Sequence, residues 1–135
     1  MMAVSIVRLG SPRFADEGLR IGTVRRPPRG VRKEDYAKKN LFDVWFPNLS
    51  PTEELLKRSS PGDTRSWTRF RRQFLAEMKT PAARRDLELL AALSHTTNFS
   101  IGCYCAAESR CHRSILAELL ERLGAEIRRP EEAAV

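Results

Sequence analysis

Residues 98–128, NFSIGCYCAAESRCHRSILAELLERLGAEIR, decide the fold of this chain. Across residues 99–105, apolar residues alternate with small or polar ones, which is typical of a β-strand. After a short loop, leucine and isoleucine recur at three- and four-residue steps over residues 115–123 and predict a helix that closes at Gly124. Residues 125–128 predict a second strand. A strand, a helix and a strand joined this closely predict a right-handed parallel crossover unit.

The rest of the chain shows the same mixture of short strands and amphipathic helices. Ser50, Pro51, Thr52 and Glu53 have the form of a capping box with proline at the first helical position. The predicted elements are strands at 3–9 and 19–24 and helices at 51–58, 64–79 and 81–94, while residues 41–49 form either a strand or an irregular packed segment. We therefore predict a small, three-layer-like α/β domain with a mixed or parallel sheet flanked by helices.

Length and composition indicate one soluble domain over residues 1–129, followed by a flexible tail at 130–135. The chain has 135 residues, of which 41% are hydrophobic and 30% are charged, and these values are ordinary for a globular protein. No apolar run approaches the roughly 20 residues that span a bilayer, and the first ten residues do not resemble a signal peptide. Three cysteines, grouped within nine positions, do not resemble a secreted disulfide framework. We expect a cytoplasmic protein with reduced thiols and no membrane partner.

The formal net charge of +7 arises from 24 basic and 17 acidic residues and indicates an anionic partner. The simpler interpretation is that arginines cover exposed helix faces and keep the protein soluble. Nucleic acid is an alternative partner, and it would contact the basic helix faces. The arginines on these faces are Arg65, Arg69, Arg71, Arg72, Arg84 and Arg85. No recognised nucleic-acid motif is present, and these arginines do not form one stripe.

The candidate site lies at 103–114, where a strand ends and a helix begins, the usual ligand position in open α/β sheets. The free N–H groups of the first helical turn, up to Ser114, favour an anion or a thiolate. Cys111 is the best candidate for a nucleophile because basic side chains flank it. His112 would carry a proton or orient a reacting group, and Arg113 would clamp an anion. The simpler interpretation is that Cys103 and Cys111 are buried and inert.

Two further interpretations concern the cysteines. Cys103, Cys105, Cys111 and His112 offer a chemically sound donor set for zinc, although their spacing is not a standard one. Cys103 or Cys105 could instead pair with Cys111 on oxidation, if the loop brings them within disulfide reach. The arginine spacing of a tyrosine phosphatase loop and the C-x-x-C of thioredoxin are both absent. No glycine-rich dinucleotide loop or other cofactor motif is visible, so the sequence predicts no particular cofactor.

A second basic segment follows the strand at 19–24. Arg26, Arg29 and Gly30 lie in the sequence RRPPRG, which the paired prolines exclude from a helix. The segment is therefore a stiff basic loop at the end of a strand. If its strand is a parallel neighbour of the strand at 99–105, the two loops share one edge of the sheet. We expect Arg26 and Arg29 to face Arg113 across a pocket for an anion.

Four ordered sequence blocks resemble the YeaO-like family, which is a domain of unknown function (family 488). The blocks are RIGTVRRPPRGV, DVWFPNLSPTEEL, FRRQFLAEM and C-x-C-x5-CHRSIL. The resemblance covers about Arg20 to Ile127 and implies a small α/β fold. It places the basic turn of the family on Arg26, Pro28, Arg29 and Gly30, and its cysteine, histidine and arginine residues on Cys103, Cys111, His112 and Arg113.

The resemblance implies no particular reaction. The first hypothesis is an enzyme or ligand-binding domain for a small phosphorylated, nucleotide or carboxylated compound at the Cys111, His112 and Arg113 site. The second is a basic accessory protein that binds nucleic acid. The third is a metal-binding or redox protein centred on the cysteines.

Overall fold

A computed structural model of the chain describes residues 2–59, 63–105 and 110–129. These residues form five strands and four α-helices in the order β1, β2, β3, α1, α2, α3, β4, α4, β5. The strands are β1 Val4–Arg8, β2 Leu19–Gly22, β3 Val44–Trp45, β4 Phe99–Cys103 and β5 Ile127–Arg128, and the helices are α1 Glu53–Arg58, α2 Thr64–Glu77, α3 Pro81–Leu93 and α4 His112–Arg122. The predicted tail at 130–135 lies outside the described residues. No helix among the described residues is long and apolar enough to cross a membrane.

The strands form one parallel sheet in the order β3-β2-β4-β1-β5. β4 lies at its centre, between β1 and β2, and all of its five residues are buried. The predicted alternation across 99–105 holds only as far as Cys103, because Cys105 is exposed and lies beyond the strand. The predicted α/β class is confirmed. All described strand pairs are parallel, so the loops that follow β2 and β4 lie at the same edge of the sheet.

The helices cover one face of the sheet. Side chains that alternate inward from the strands, including Val4, Ile6 and Ile101, pack in one core with residues from all four helices. In α2 the aromatic rings of Trp67, Phe70 and Phe74 stack one after another. The ring centroids of Trp67 and Phe70 are 5.5 Å apart, and the Phe74 side chain is fully buried. Burial of this apolar stripe is the main force that orients α2 against the sheet.

Within the part of the chain that the structure describes, irregular chain rather than α-helices covers the other face of the sheet. Phe42 packs there against Gly22 of β2, where an added Cβ would lie 2.5 Å from the phenyl ring. Glycine is therefore required for the close approach of Phe42 to the sheet. Residues 41–49, whose structure the sequence left open, contain the short strand β3 and a 3-10 turn at Pro47–Leu49.

A buried ion pair also lies on this face. Arg20 and Glu17 form two hydrogen bonds of 2.7 and 2.8 Å, and the hydroxyl of Ser100 donates to the same carboxylate at 2.6 Å. Burial raises the pKa of Glu17, but the hydrogen bonds from Arg20 and Ser100 outweigh it and lower the pKa overall. The Arg20 guanidinium also donates to the carbonyls of Ser11 and Asn40, so it joins two segments of irregular chain, one before β2 and one after it, to this strand.

The start of α1 differs from the predicted capping box. The side chain of Thr52, not of Ser50, accepts the backbone N–H of Leu55 and caps the helix. Ser50 instead donates its hydroxyl to the carbonyl of Pro47. The side chain of Glu77, at the end of α2, accepts the backbone N–H of Thr52. The helix begins two residues later than predicted. The Glu77 carboxylate, which accepts the Thr52 N–H, belongs to another helix, and no local sequence pattern indicates this contact.

Candidate functional site

The candidate site lies at the carboxyl edge of the sheet. Cys103 is the last residue of β4, and Cys111 is the N-cap residue of α4. His112 and Arg113 occupy the first turn of that helix, and all four residues are buried. The structure therefore brings together the four residues of the predicted cysteine, histidine and arginine site.

The two buried cysteines are in contact through their sulfur atoms. Cys103 Sγ and Cys111 Sγ form a disulfide pair in this structure. Their Cα atoms are 7.6 Å apart, whereas the usual separation in a disulfide is about 4.4–6.8 Å. Cys105, the third cysteine, is a free thiol at the surface.

The guanidinium of Arg113 contacts the sulfur of Cys103. Its Nη1 lies 3.3 Å from Cys103 Sγ and donates to the carbonyl of Cys105 at 2.6 Å. Arg113 is only 1% exposed, so water screens its charge little. A cation held this close stabilises the thiolate form of a cysteine. The sequence predicted Cys111 as the nucleophile and Arg113 as an anion clamp, but the structure places this arginine against Cys103.

The hydrogen bonds of His112 determine its tautomer. Its Nε2 lies 2.5 Å from the carbonyl oxygen of Thr23, which only accepts, so Nε2 carries the proton. Nδ1 is then an acceptor and lies 3.9 Å from the sulfur of Cys111. Burial lowers the pKa of His112 to about 4. The hydrogen bond to the Thr23 carbonyl raises this pKa and the nearby charge of Arg113 lowers it, but both effects are smaller than that of burial. His112 is therefore neutral at pH 7 and can accept a hydrogen bond from the Cys111 thiol.

Two adjacent cavities meet at the site. The basic cavity has a volume of about 420 Å³ and is lined by Val24, Arg25, Arg26, Pro51, Glu53, Leu56, Lys57, Cys103, Tyr104, Cys105 and His112. The aromatic cavity has a volume of about 380 Å³ and is lined by Pro51, Leu56, Ser59, Asp63, Ser66, Trp67, Phe70, Cys105, Arg110, Cys111 and His112. Cys103 lines only the basic cavity and Cys111 only the aromatic one.

The basic cavity has three cationic residues and one acidic residue in its lining. Arg25 is held by the carbonyls of Ser50 and Pro51, and Arg26 pairs with Glu53 at 2.8 Å. The excess of positive charge favours anionic compounds. Arg25 and Lys57 were not among the predicted site residues. Arg25 is the first residue of the predicted basic loop, but nothing in the sequence places Lys57 of α1 beside it.

The remaining predicted anion-binding residues do not converge on these cavities. Arg29 and Gly30 are exposed and line neither cavity. Ser114 donates its hydroxyl to the carbonyl of Cys111 and borders a different, open hollow. Arg113 bonds inward to Cys103 instead of facing the loop. Of the predicted basic loop, Arg25 and Arg26 reach the site among the residues that the structure describes.

A metal ion would have one set of donors here. Cys103, Cys111 and His112 each offer one donor atom, and these atoms lie within 4.8 Å of one another. Two thiolates and an imidazole suit zinc, and the Thr23 carbonyl would orient the imidazole. Cys105, the fourth ligand of the predicted zinc set, is not part of this cluster.

The nucleic-acid hypothesis depends on arginines that lie away from this site. Arg71 pairs with Glu118 of α4 at 2.6 Å, so one of these arginines joins two helices. The binding of nucleic acid to the basic helix faces stays a prediction.

Comparison with known families places the chain within a described group. The model of a family described as the active DUF488-N3 subclade matches residues 4–124, which contain every element from β1 to α4 and all four site residues. The chain belongs to the DUF488-N3a family. The YeaO-like resemblance predicted from the sequence is therefore confirmed.

A relative supports the same assignment. The uncharacterized protein YeaO of Escherichia coli (strain K12) is 32% identical over 77 residues, which are 57% of this chain and 63% of that protein. The alignment thus covers somewhat less than two thirds of YeaO. No solved structure matches the chain.

Proposed function

We propose that this DUF488-N3a chain is a small thiol-dependent enzyme that acts on an anionic compound bound in the basic cavity. The observation that carries the proposal is the contact between Arg113 and the sulfur of Cys103, at a cavity with a cationic lining. Cys103 is the nucleophile because Arg113 stabilises its thiolate. The word "active" in the description of the family supports a catalytic role.

The neighbouring residues have distinct roles in the proposed enzyme. Cys111 is the partner thiol, because its sulfur contacts that of Cys103. His112 orients the Cys111 thiol through Nδ1, and the Thr23 carbonyl fixes the imidazole. Arg26 and Lys57 attract the anionic group of the substrate to the mouth of the basic cavity.

Alkylation with two reagents of similar size tests the proposal. Reduced Cys105→Ser protein is treated with anionic iodoacetate or neutral iodoacetamide, and mass spectrometry follows the modification of Cys103. The rate constant for iodoacetate is divided by that for iodoacetamide, and this ratio is then divided by the same ratio measured for N-acetylcysteine. We expect this normalised preference for iodoacetate to exceed about tenfold, because focused positive potential raises the local anion concentration. The double substitution of Arg26 and Lys57 by glutamine should remove most of the preference.

The matched control is Lys38→Gln, which removes a charge from an exposed residue that lines neither cavity. It should leave the preference unchanged. A normalised ratio near one in protein whose basic cavity is unsubstituted would contradict the proposal that the substrate is anionic. Stoichiometric zinc in reduced protein purified without chelator would contradict the assignment of Cys103 as nucleophile, because Cys103 would then be a metal ligand.

A further inference from the structure

We infer that the sulfur pair transfers electrons between two compounds, an anionic disulfide in the basic cavity and a small thiol in the aromatic cavity. The inference rests on the proposed nucleophile Cys103 and adds a second substrate with its own binding site. Its basis is the division of the two sulfurs between the cavities. Cys103 lines one cavity and Cys111 lines the other, although the two sulfurs are in contact.

This division determines which sulfur each compound can reach. In thiol–disulfide exchange, the entering thiolate attacks one sulfur while the other sulfur leaves. The entering sulfur approaches along the axis of the bond that breaks. A compound in the basic cavity, which Cys103 lines, is therefore proposed to react with Cys103. A compound in the aromatic cavity, which Cys111 lines, is proposed to react with Cys111.

In the oxidation step, the reduced pair gives two electrons to the compound in the basic cavity. The Cys103 thiolate attacks one sulfur of the bound disulfide, forms a mixed disulfide and releases the first thiolate product. The Cys111 thiol, which lies 3.9 Å from Nδ1 of His112, releases its proton to solvent. The Cys111 thiolate then attacks Cys103 Sγ, forms the Cys103–Cys111 disulfide and releases the second thiolate product.

In the reduction step, two thiols return the electrons through the aromatic cavity. The first thiolate attacks Cys111 Sγ, and Cys103 leaves as a thiolate beside Arg113. This leaving group is the better one, because a stabilised thiolate leaves faster. A second thiolate attacks the mixed disulfide on Cys111 and releases an oxidised disulfide product. Cys111 leaves as a thiolate and takes up a proton from solvent, which restores the dithiol.

The linings of the cavities indicate the class of each compound. The cationic residues of the basic cavity suit a carboxylated or otherwise anionic disulfide. The aromatic cavity combines the stacked rings of Trp67 and Phe70 with one cationic and one acidic residue, Arg110 and Asp63. The rings suit a thiol with an apolar body, and Arg110 can pair with a carboxylate on that thiol.

Separate measurement of the two steps tests the inference. Cys105→Ser protein serves as the background, so that only Cys103 and Cys111 react. Stopped-flow absorbance follows oxidation of the reduced pair by 5,5′-dithiobis(2-nitrobenzoate), an anionic disulfide that should release two thiolates per chain. Reduction of the oxidised pair by 3-mercaptopropionate is followed in a second experiment.

One variant perturbs each cavity. Lys57→Glu reverses a charge that lines only the basic cavity, and Ser66→Trp fills the aromatic cavity. We expect Lys57→Glu to slow oxidation by about tenfold and Ser66→Trp to slow reduction by about tenfold or more, because the thiol loses its reactive position. Each variant should change the other step by less than about twofold. The control Thr68→Trp places the same bulky residue at an exposed position of α2 that lines neither cavity.

The possible outcomes separate this inference from the proposed function. If Ser66→Trp leaves reduction unchanged, or slows both steps equally while circular dichroism shows a native fold, one cavity serves both compounds and the inference is overturned. Ser59→Phe, a second substitution that fills the aromatic cavity, repeats the test if Ser66→Trp does not fold. If Cys103 is alkylated rapidly by iodoacetate but the pair is never oxidised, the inference fails and the proposed nucleophile stands. If Cys103 reacts with neither reagent, both are wrong.

Discussion

Replacement of Arg20 by methionine is expected to lower the free energy of unfolding by about 3–5 kcal/mol. The substitution leaves the Glu17 carboxylate buried, with the Ser100 hydroxyl still donating to it. It also removes the donors to the Ser11 and Asn40 carbonyls. A buried charge that loses its partner is expensive because the interior cannot replace the solvation of water. Urea unfolding, monitored by circular dichroism, measures the change.

Two further variants test the cause of this loss. Arg32→Met removes an arginine whose side chain is 77% exposed and pairs with Asp35; it should cost less than about 1 kcal/mol. The double variant Glu17→Gln with Arg20→Met removes both charges, and it should be more stable than Arg20→Met alone. A loss below about 1 kcal/mol for Arg20→Met would show that the pair contributes no more than a surface salt bridge.

Arg113→Met is expected to slow the alkylation of Cys103 by about 10- to 100-fold at pH 7. A hydrogen bond to a charged group contributes about 1.5–3 kcal/mol, and each 1.4 kcal/mol corresponds to about tenfold in an equilibrium. Loss of the Arg113 contact therefore reduces the thiolate fraction of Cys103 by about that factor. Rates are measured with iodoacetamide, because a neutral reagent separates thiolate formation from the attraction of anions.

The control for this prediction is Arg110→Met. Arg110 lines the aromatic cavity and donates to the backbone carbonyl of Asp63, but it is not among the residues that line the basic cavity with Cys103. Its loss should leave the rate unchanged. Arg113→Lys retains a positive charge and should recover part of the rate. Equal rates for Arg113→Met and the parent protein, with native circular dichroism in both, would show that Arg113 does not increase the reactivity of Cys103.

Sequence patterns predicted the sheet and its main helices because those elements depend on local alternation and periodicity. The strand of 99–103 and the stripe of α4 are both regular, and Gly124 adopts the left-handed backbone, at φ 90°, that ends a helix. The Arg20 and Glu17 pair was not predicted. Its only local signals are a charged residue inside an apolar strand and an acidic residue three positions before it.

The position of the site was predictable, but the contacts between its residues were not. The sequence identified Cys103, Cys111, His112 and Arg113, because a strand end meets a helix start there. Which cysteine contacts Arg113 depends on the path of the chain between β4 and α4, and no periodic pattern determines that path. The Thr23 carbonyl that fixes His112 comes from a distant loop, and backbone groups leave no mark in the sequence.

The proposed chemistry requires Cys103 and Cys111 to act as one sulfur pair, and peptide mapping of oxidised protein tests this most directly. Trypsin cleaves after Arg85, Arg110 and Arg113, so Cys111 lies on a separate short peptide from Cys103 and Cys105. Mild oxidation of Cys105→Ser protein should link residues 86–110 to residues 111–113 through Cys103 and Cys111, and dithiothreitol should separate them. Recovery of both cysteines as individually alkylated thiols after oxidation would contradict the account.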